Sequence, residues 1–499
     1  MEVMAIIESK SGKVQGYTDN GVEIFKGIPY AEPPIGDLRF KPPIPKKTWD
    51  GVFDAKKYGA CAFQGYTPLE EWWGKLEPES EDCLTLNIWT PSADNGKRPV
   101  MVWIHGGSFI IGSGKDAFYE GSKLANRGNV VVVTINYRLG AFGYLYIPGV
   151  TANVGQFDQI AALKWIRDNI EAFGGDPNNV TIFGESAGAY AVTTLPTMPA
   201  AKGLFHRVIA QSTPAFNPEI SEKSTKGLMR LLKLKRGDID TLRKIPPEKI
   251  IEAQNTYMAK NPTDLLAFRP LIDGDTIPKH PLKAFQNGEC KDIDLMIGSN
   301  LDEAKLFTAL DPNINKMMES GAENALIGFL TTFSIDNIRS KEIIDIYKKA
   351  RMGKLSNEPI ELFNALFTDI SFRISTIRLL EAQRKHQPNT YNYLFTMESP
   401  NKALGSPHII EIPFVFNTFD APNAEEFAGK GPDVEQLSEK IMDAWISFAH
   451  TGNPNHDDLP EWPSYDVKNR ATMFLGKECK IVNKAFDKER EAWEGLLEV

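Results

Sequence analysis

The first half of the chain carries short, unbroken runs of hydrophobic residues. The clearest are "VMVWIHGG" (100–107) and "NVVVVTINY" (129–137), both rich in valine and isoleucine. Runs of this kind are typical of strands that are buried on both faces of a parallel sheet. Two more such strands are predicted by "VTIF" (180–183) and "DIDLMIGSN" (292–300). The hydrophobic pattern therefore predicts a mostly parallel central sheet.

A helical period appears between two of these strands. Within residues 153–172, apolar side chains recur at helical spacing and share one face: Ile160, Leu163, Ile166 and Ile170. The polar "GGDPNN" that follows is expected to break the helix before "VTIF" begins. A strand, a helix and another strand joined by short turns form the βαβ unit of α/β proteins. An α/β fold class is therefore expected.

The second half of the chain has fewer strand signals. Two stretches, 217–260 and 313–388, are charged and periodic, and we expect them to form a helical cap over one edge of the sheet. Near the end, "QLSEKIMDAWISFAHTGNP" predicts a further helix that is closed by Gly452 and Pro454. Because no Pro/Ser-rich linker divides the chain, we expect a single domain over residues 1–499 with these two helical insertions.

The composition is that of an ordinary globular protein, with 42% hydrophobic and 24% charged residues. A formal net charge of −9 argues against nucleic acid or an anionic membrane as the main partner. No stretch reaches the roughly 18 apolar residues of a membrane-spanning helix, so no membrane insertion is expected. The first residues lack the basic lead of a secretory signal, and the four cysteines show no metal spacing. A cytoplasmic protein with reduced thiols is expected.

The strand "VTIF" ends in two glycines around one serine: Gly184, Glu185, Ser186, Ala187 and Gly188. Between a strand and a helix, G-x-S-x-G is the signature of a nucleophile elbow, in which the serine hydroxyl projects from a strained turn. The same pattern also occurs by chance. The strand before it and the helical pattern around it favour the catalytic interpretation, which makes Ser186 the candidate nucleophile.

Attack by a serine on an acyl group develops charge on the carbonyl oxygen, which needs preset N–H donors. The segment "WIHGGSF" (103–109) follows a buried strand and places two adjacent glycines where backbone N–H groups can face a cavity. A plain glycine turn is the alternative. The location after a valine-rich strand and upstream of the elbow favours an oxyanion hole.

A serine nucleophile also needs a base, and the chain has seven histidines. His105 belongs to the glycine turn, where its ring is expected to support the loop. His408 stands just before the apolar run "IPFVF", at a plausible sheet edge. A lone histidine is more often structural than catalytic, so these residues alone do not select the base.

Several blocks of the chain resemble the type-B carboxylesterases, the family that includes the cholinesterases, and especially the bacterial para-nitrobenzyl esterase branch. Two signatures match, "FGGDPNNVTIFGESAG" (173–188) and "EDCLTLNIWTP" (81–91). Three further blocks are similar: "FKGIPYAEPPIGDLRFKPP" (25–43), "NYRLGAFGYL" (136–145) and "AWISFAHTGNP" (444–454). The resemblance extends over nearly the whole chain and implies an α/β-hydrolase fold, with helices on both sides of a large, mostly parallel sheet.

The resemblance also implies a Ser–Glu–His triad, which needs no metal and no cofactor. Its nucleophile corresponds to Ser186. Its acid lies in "IGSNLDEAKLF", at the second position of the "DE" pair, which is Glu303 and not Asp302. Its histidine lies in "HIIEIPFVF" and corresponds to His408. The chain order serine, acid, histidine is that of α/β-hydrolases.

The same resemblance implies an oxyanion hole made by the backbone N–H groups of Gly107, Ser108 and Ala187. The helix that starts near Ala187 would point the positive end of its dipole at the same oxygen. The implied activity is hydrolysis of small, apolar carboxylic esters through an acyl-enzyme. A small ester is thus the expected partner.

The chain departs from the family pattern close to this site. Gln156 stands where leucine is usual, and Thr213 with Pro214 follows the "QS" pair, where glycine is common. Substrate preferences of the family are therefore not transferred to this chain. Cys61 and Cys83 correspond to a pair that is bridged in extracellular relatives, and here we expect both to be reduced.

Trp73 has the placement of the choline-binding tryptophan of cholinesterases, which predicts a position at the rim or wall of an active-site gorge. A tryptophan packed under a surface loop is the simpler interpretation. Other functions also remain open at this point. A lipase or another acyl hydrolase would use the same triad, whereas non-catalytic adhesion or scaffold relatives typically lack the elbow serine.

Overall fold

The computed structural model describes residues 3–65, 67, 70, 74–215, 219–261, 264 and 266–496. Within these residues, the chain forms one 13-stranded sheet. Its strands are β1 (Val3–Ser9), β2 (Gly12–Asp19), β3 (Val22–Pro29), β4 (Val52–Asp54), β5 (Thr85–Thr90), β6 (Arg98–Ile104), β7 (Val131–Ile135), β8 (Gly175–Glu185), β9 (Arg207–Gln211), β10 (Asp294–Asn300), β11 (Thr390–Phe395), β12 (Thr472–Leu475) and β13 (Lys480–Val482).

The order across the sheet is β1-β2-β3-β5-β7-β6-β8-β9-β10-β11-β12-β13, and β4 pairs with β2. The strands from β7 to β12 in this order are all parallel to their neighbours. The strands on either flank pair antiparallel, except that β4 pairs parallel with β2. Every residue of β6 and β7 is buried, as expected for strands covered on both faces. The mostly parallel sheet predicted from the valine-rich runs is confirmed.

Helices cover the sheet and fill the connections between its strands. Their bounds are Ser122–Gly128, Gly140–Tyr144, Val154–Asn169, Ala187–Thr194, Lys223–Leu231, Ile239–Leu242, Pro247–Lys260, Pro281–Gln286, Ala304–Leu310, Pro312–Thr331, Asn337–Arg351, Pro359–Thr368, Ile374–Arg384, Ile412–Phe416, Ala424–Ala428, Pro432–Thr451 and Asp487–Glu491. A π-helical turn, Asp369–Arg373, joins two of them.

Both stretches predicted to be helical insertions contain helices, and so does the segment closed by Gly452, which adopts a left-handed conformation with φ 79°. The division of the chain into domains stays a prediction. The second insertion has its own apolar cluster, in which Leu330, Ile343 and Leu366 pack with Trp493.

The segment "GGDPNN" (174–179) was expected to lie outside the strand, but its residues from Gly175 onward belong to β8. The reason is its pairing with the start of β6, where Arg98 opposes Gly175. The register shifts before Val100 and Val180 come opposite each other, so the polar residues occupy an irregular strand end.

Parallel strands bring their carboxyl ends to one edge of the sheet, where ligands bind in open α/β sheets. The register shows which ends meet. Ile104 of β6 lies opposite Gly184 of β8, and Glu185 lies opposite Gln211 of β9. Gln211 in turn lies opposite Gly298 near the end of β10. The glycine loop and the elbow therefore follow adjacent strands, β6 and β8, and the "DE" pair follows β10, which is separated from β8 by β9.

Candidate active site

Ser186 occupies a single-residue turn between β8 and the helix Ala187–Thr194. Its φ is 57° and its ψ is −121°, a conformation that residues with a side chain rarely adopt. The backbone N–H of Ser186 donates to the carbonyl of Gln211 at 2.9 Å, which ties the turn to β9. The strained geometry expected of an elbow is present at Ser186.

The two glycines of the motif are required by close packing against the end of β6. A Cβ on Gly184 would lie 2.5 Å from the carbonyl oxygen of Ile104. A Cβ on Gly188 would lie only 2.0 Å from the same oxygen. Any side chain at either position would push strand and helix apart, and Ser186 would leave the sheet edge.

The loop after β6 lies directly against this turn. A Cβ on Gly106 would be 3.1 Å from the Cβ of Ser186 and 2.9 Å from Oε2 of Glu185. Gly107 and Ser108 both have positive φ values, 102° and 54°, which fold the loop back on itself.

Three N–H groups near the serine are available as donors. In the described part of the chain, the N–H groups of Gly107, Ser108 and Ala187 donate to no acceptor. Ala187 is the first residue of its helix, where backbone N–H groups have no partner within the helix. The arrangement can therefore accept a negatively charged oxygen.

The ring of His105 packs against the glycine loop and supports it. Its ring stacks on Tyr137 with 4.4 Å between the ring centroids, and its Nδ1 lies 2.8 Å from the carbonyl oxygen of Gly106. Burial lowers the pKa of His105 to about 4, so the ring is neutral at physiological pH. A neutral, hydrogen-bonded ring fits a structural role and not that of a base.

Glu303 and His408 form a buried pair. Nδ1 of His408 lies 2.6 Å from Oε2 of Glu303, and both side chains are almost completely buried. The backbone N–H of Asn300 donates to the other oxygen of Glu303 at 2.7 Å. Both oxygens of this carboxylate are thus engaged, which fixes its orientation toward the imidazole.

The second ring nitrogen of His408 points to the elbow. Its Nε2 lies 3.0 Å from Oε1 of Glu185, the residue before Ser186. Among the described residues, no hydrogen bond joins the Ser186 hydroxyl to His408. Catalytic hydrogen bonds are often long or misaligned in unliganded enzymes, so the proximity of ring and elbow is the relevant observation.

Asp302 and Glu303 lie in a turn that follows β10. Glu303 is in right-handed helical conformation, with φ −41° and ψ −48°, and opens the helix Ala304–Leu310. Asp302 instead accepts from the N–H of Ser406 at 2.9 Å and pairs with Lys305. The turn separates the two carboxylates, and only Glu303 faces the imidazole.

Sequence reasoning missed two further carboxylates beside His408. Glu185 and Glu411 are both about as buried as Glu303, with 2% and 1% of their surface exposed. The available signal was their position: Glu185 lies inside the elbow motif, and Glu411 lies in the apolar run after His408. A carboxylate in such surroundings needs a specific partner.

Two amides hold Glu411. Nε2 of Gln211 donates to its Oε1 at 3.0 Å, and Nδ2 of Asn300 donates to its Oε2 at 2.6 Å. Asn300 Nδ2 also donates to the carbonyl of Pro407 at 2.9 Å. Burial raises the pKa of Glu411, and the two amides counter part of that rise. With donors on both oxygens, Glu411 is arranged as a carboxylate that only accepts.

Burial alone would lower the pKa of His408, but the carboxylates of Glu185 and Glu303 outweigh it and raise the pKa to about 9. The imidazolium is therefore strongly stabilised. Two rings enclose the imidazole: Phe307, at 5.3 Å between centroids, and Phe372, at 4.7 Å. They shield the Glu303–His408 pair from water.

A cavity of about 110 Å³ opens beside the elbow. Gly106, Gly107, Glu185 and Ile409 are among the residues that line it. Asp116 also borders the cavity, and burial raises the pKa of its carboxyl to about 6. A concave, largely apolar space with a few polar groups is what small-ligand sites have in common.

The departures from the family pattern lie in buried positions. Oε1 of Gln156 accepts a hydrogen bond from the hydroxyl of Tyr144 at 3.2 Å. Thr213 is buried, one residue after Ser212, which has a φ of 57°. Trp73 lies outside the described residues.

One group of possible metal ligands occurs among the described residues, well apart in sequence from the candidate site. Ligand atoms of Asp443, His456 and Asp458 lie within 4.8 Å of one another. Asp443 is already bound by both nitrogens of the Arg127 fork, at 2.7 Å each. His456 uses one ring nitrogen on the carbonyl of Lys440 and the other on the N–H of Asp458. Their hydrogen bonds account for the group without a metal.

In the part of the chain that the structure describes, none of the helices combines the length and the apolar character needed to span a bilayer.

Comparison with known proteins places this geometry in a family. Residues 4–493 match the family model described as "Carboxylesterase family". Para-nitrobenzyl esterase of Bacillus subtilis (strain 168) is 36% identical over 497 residues, which cover 97% of this chain and 98% of that protein. Phenmedipham hydrolase of Pseudarthrobacter oxydans is 37% identical over 489 residues, which cover 95% of each.

The fold has close solved counterparts as well. A carboxylesterase of Geobacillus stearothermophilus matches with a TM-score of 0.87 at 36% identity, covering 98% of this chain and 100% of that chain. The α/β-hydrolase fold and the serine carboxylesterase function expected from the sequence are therefore confirmed. The chain, from residue 4 to residue 493, belongs to the carboxylesterase family.

Proposed function

We propose that Ser186, His408 and Glu303 form the catalytic triad of this carboxylesterase. The observation that carries the proposal is the pairing of Glu303 Oε2 with His408 Nδ1 at 2.6 Å, on a ring whose other nitrogen faces the elbow. In the neutral ring, Glu303 sets the tautomer in which Nδ1 carries the proton, and Nε2, which lies 3.0 Å from Oε1 of Glu185, then carries the lone pair that acts as base.

Ester hydrolysis then proceeds in two steps. His408 takes the proton of the Ser186 hydroxyl while the serine oxygen bonds to the ester carbonyl carbon. The tetrahedral intermediate collapses, the C–O bond to the alcohol breaks, and His408 returns the proton to the departing oxygen. Water, activated by the same imidazole, then cleaves the acyl-enzyme and releases the acid.

The oxyanion of each tetrahedral intermediate is assigned to the N–H groups of Gly107, Ser108 and Ala187. Support comes from their position around the elbow and from their lack of acceptors within the described residues. Donors that are already in place need no reorganisation when charge develops, which is why such groups contribute strongly to acyl transfer.

The substrate class we propose is small, apolar carboxylic esters, with no metal or cofactor taking part. The relatives are named for para-nitrobenzyl esters and for phenmedipham. The cavity beside the elbow has room for a small group. The acidic net charge of −9 gives no attraction for nucleic acid.

Replacing the nucleophile tests the assignment. Ser186→Ala should lower kcat by roughly 10⁴-fold or more, because members of a triad act as a unit. Mass spectrometry after treatment with an organophosphate should find the adduct on the peptide that contains Ser186. Loss of activity with the adduct on a different serine would overturn the proposal. Thermal melts should show that wild type and variant are equally folded.

A lipase acting at lipid interfaces would use the same groups. A sharp rise in activity once the ester forms micelles would identify that function, whereas saturation below the micellar concentration supports the esterase.

We also propose a cytoplasmic location, because all four cysteines are free thiols and Cys61 and Cys83 are both buried. Four titratable thiols in unfolded protein prepared without air are expected, and a linked peptide with both residues would contradict the location.

A further inference from the structure

A second cavity lies beside the turn that carries Glu303. Its volume is about 60 Å³, and none of the described residues lines both this cavity and the one beside the elbow. Leu355 is part of its wall and is 42% exposed, so the cavity lies close to the surface. The charged residues of the wall include Asp302, Arg351, Arg373 and Glu489. This cavity is therefore separate from the ester site.

Glu489 is a carboxylate of this wall that has no partner. The residue is only 5% exposed, and its side chain forms no hydrogen bond or ion pair within the part of the chain that the structure describes. A buried carboxylate without a donor is unfavourable. A ligand that donates to Glu489 would remove this cost.

Two arginines of the wall have unused donors. Nε and Nη2 of Arg373 bind Asp369 at 2.5 and 2.6 Å, whereas its Nη1 has no partner among the described residues, although Arg373 is 9% exposed. Arg351 donates through Nε to the carbonyl of Ser356 at 3.1 Å, and its two terminal nitrogens bind no described residue. Guanidinium groups with free N–H donors are suited to binding a carboxylate.

The other charged groups of the wall are already paired. Asp302 and Glu361 share Lys305, at 3.4 and 3.0 Å. Asp369 accepts both bonds from the Arg373 fork. The wall thus keeps one free carboxylate and the free donors of two guanidinium groups.

The size and the charges of the cavity together define a ligand class. It has room for roughly four water molecules, or for a ligand with a similar number of non-hydrogen atoms, since one water needs roughly 10–15 Å³. A simple anion would lie beside Glu489, and a simple cation would lie beside two guanidinium groups. A molecule that carries both charges satisfies the carboxylate and the arginines at once.

We propose that this cavity binds a small zwitterion of the size of glycine. Its carboxylate accepts from Arg351 and Arg373, and its ammonium group donates to Glu489. The ligand class is the smallest amino acids.

The wall of the cavity also contacts both neighbours of Glu303. Oγ1 of Thr368, which lines the cavity, accepts from the N–H of Ala304 at 3.1 Å. Asp302, on the other side of Glu303, accepts from the N–H of Ser406 at 2.9 Å. A bound zwitterion fixes this wall, and with it the turn that holds the acid against His408. Occupancy should therefore raise kcat by roughly fivefold.

Calorimetric titration of the full-length enzyme with glycine tests the binding. A Kd in the range of roughly 0.1–10 mM is expected, because so small a ligand makes few contacts. Acetate and methylammonium each carry only one of the two charges and should bind at least roughly tenfold more weakly. At constant pH and ionic strength, saturating glycine should raise kcat for nitrophenyl butyrate.

Two variants remove the groups that recognise the ligand. Glu489→Gln keeps the shape of the side chain but removes the charge that binds the ammonium group, and Arg351→Leu removes donors to the carboxylate. Each should weaken glycine binding by roughly tenfold or more and abolish the rise in kcat. Glu491→Gln is the matched control, because Glu491 is on the same helix, Asp487–Glu491, and pairs with Lys488 at the surface. It should bind glycine like the wild type.

Absence of glycine binding to the wild type would overturn the inference. So would equal affinities of the Glu489→Gln and Glu491→Gln variants at equal folded fraction, checked by thermal melts. Tighter binding of acetate than of glycine would contradict a site for a zwitterion, and binding without a change in kcat would contradict the link to Glu303. None of these results bears on the proposed triad, whose test is labelling and replacement of Ser186.

Discussion

Nε1 of Trp445 donates a hydrogen bond to Oε1 of Gln211 at 3.1 Å and thereby decides which way that amide faces. An indole N–H only donates, so the amide oxygen must turn toward Trp445 and the amide nitrogen toward Glu411. Trp445, on the helix Pro432–Thr451, thus orients a group that binds a carboxylate beside His408.

Replacing this tryptophan should alter the pH profile. In Trp445→Phe the Gln211 amide can turn, its oxygen then faces Glu411, and Glu411 must take up a proton to donate. With one negative charge fewer, the pKa of His408 falls, and the acid limb of kcat/KM moves to lower pH. Trp462→Phe is the control, since Trp462 is equally buried and its Nε1 has no partner among the described residues. Similar profiles for the two variants would contradict the orienting role.

The imidazole itself should titrate at unusually high pH. His408 must be neutral to act as base, and its pKa is raised to about 9. Activity should therefore increase as pH rises through this region. Glu185→Gln removes one of the carboxylates that raise this pKa. The midpoint of the acid limb of the kcat/KM profile should therefore shift to lower pH by roughly one unit. An unchanged limb in a folded variant would show that Glu185 does not set the pKa.

The two adjacent carboxylates of the "DE" pair should differ sharply in their effect on rate. Glu303→Gln keeps the shape of the side chain but removes the charge that stabilises the imidazolium, and kcat should fall by up to ~10⁴-fold. Asp302→Asn should cost far less at equal folded fraction, because Asp302 binds Ser406 and Lys305 instead of the histidine. A larger loss of kcat in Asp302→Asn than in Glu303→Gln would show that the acid of the triad is misassigned.

Stability should depend on one buried ion pair. Nη2 of Arg138 lies 2.6 Å from Oδ1 of Asp158, and their side chains are 4% and 0% exposed. Asp158→Asn leaves the guanidinium buried without a counter-charge and should lower the free energy of unfolding by roughly 3–5 kcal/mol.

The matched change is Asp168→Asn. Asp168 pairs with Arg167 at the surface, where both side chains are about half exposed, and an exposed pair contributes about 1 kcal/mol or less. Denaturant unfolding of the two variants should separate them clearly. Equal losses would mean that Asp158 is not the counter-charge that matters.

The sequence was most informative at the elbow motif, whose residue types predict the local backbone geometry. Gly184 and Gly188 predict a close crossing of strand and helix, and the structure shows the carbonyl of Ile104 filling that space. The choice of His408 and Glu303 came from family resemblance. The residues around a lone histidine, or around two adjacent acids, do not show which side chain will face the active site. Glu411 was missed for a related reason. Its amide partners, Gln211 and Asn300, stand on other strands, and only the fold brings them together.

The boundary of β8 was mispredicted because pairing overrides composition. The polar composition from Gly175 onward predicts a loop. The backbone of these residues nevertheless lies beside the start of β6 and joins the sheet.

Asp302 and Ser406 are joined by two bonds in opposite directions, since each N–H donates to the other residue, at 2.9 Å. They clamp together the ends of the segment that separates Glu303 from His408. Everything between them, including the helices from Ala304 to Arg384, is a closed loop whose base is fixed. Such a loop can lengthen, shorten or exchange its helices without moving acid relative to base. Selection can therefore reshape what this enzyme accepts while the proton-transfer pair stays as it is.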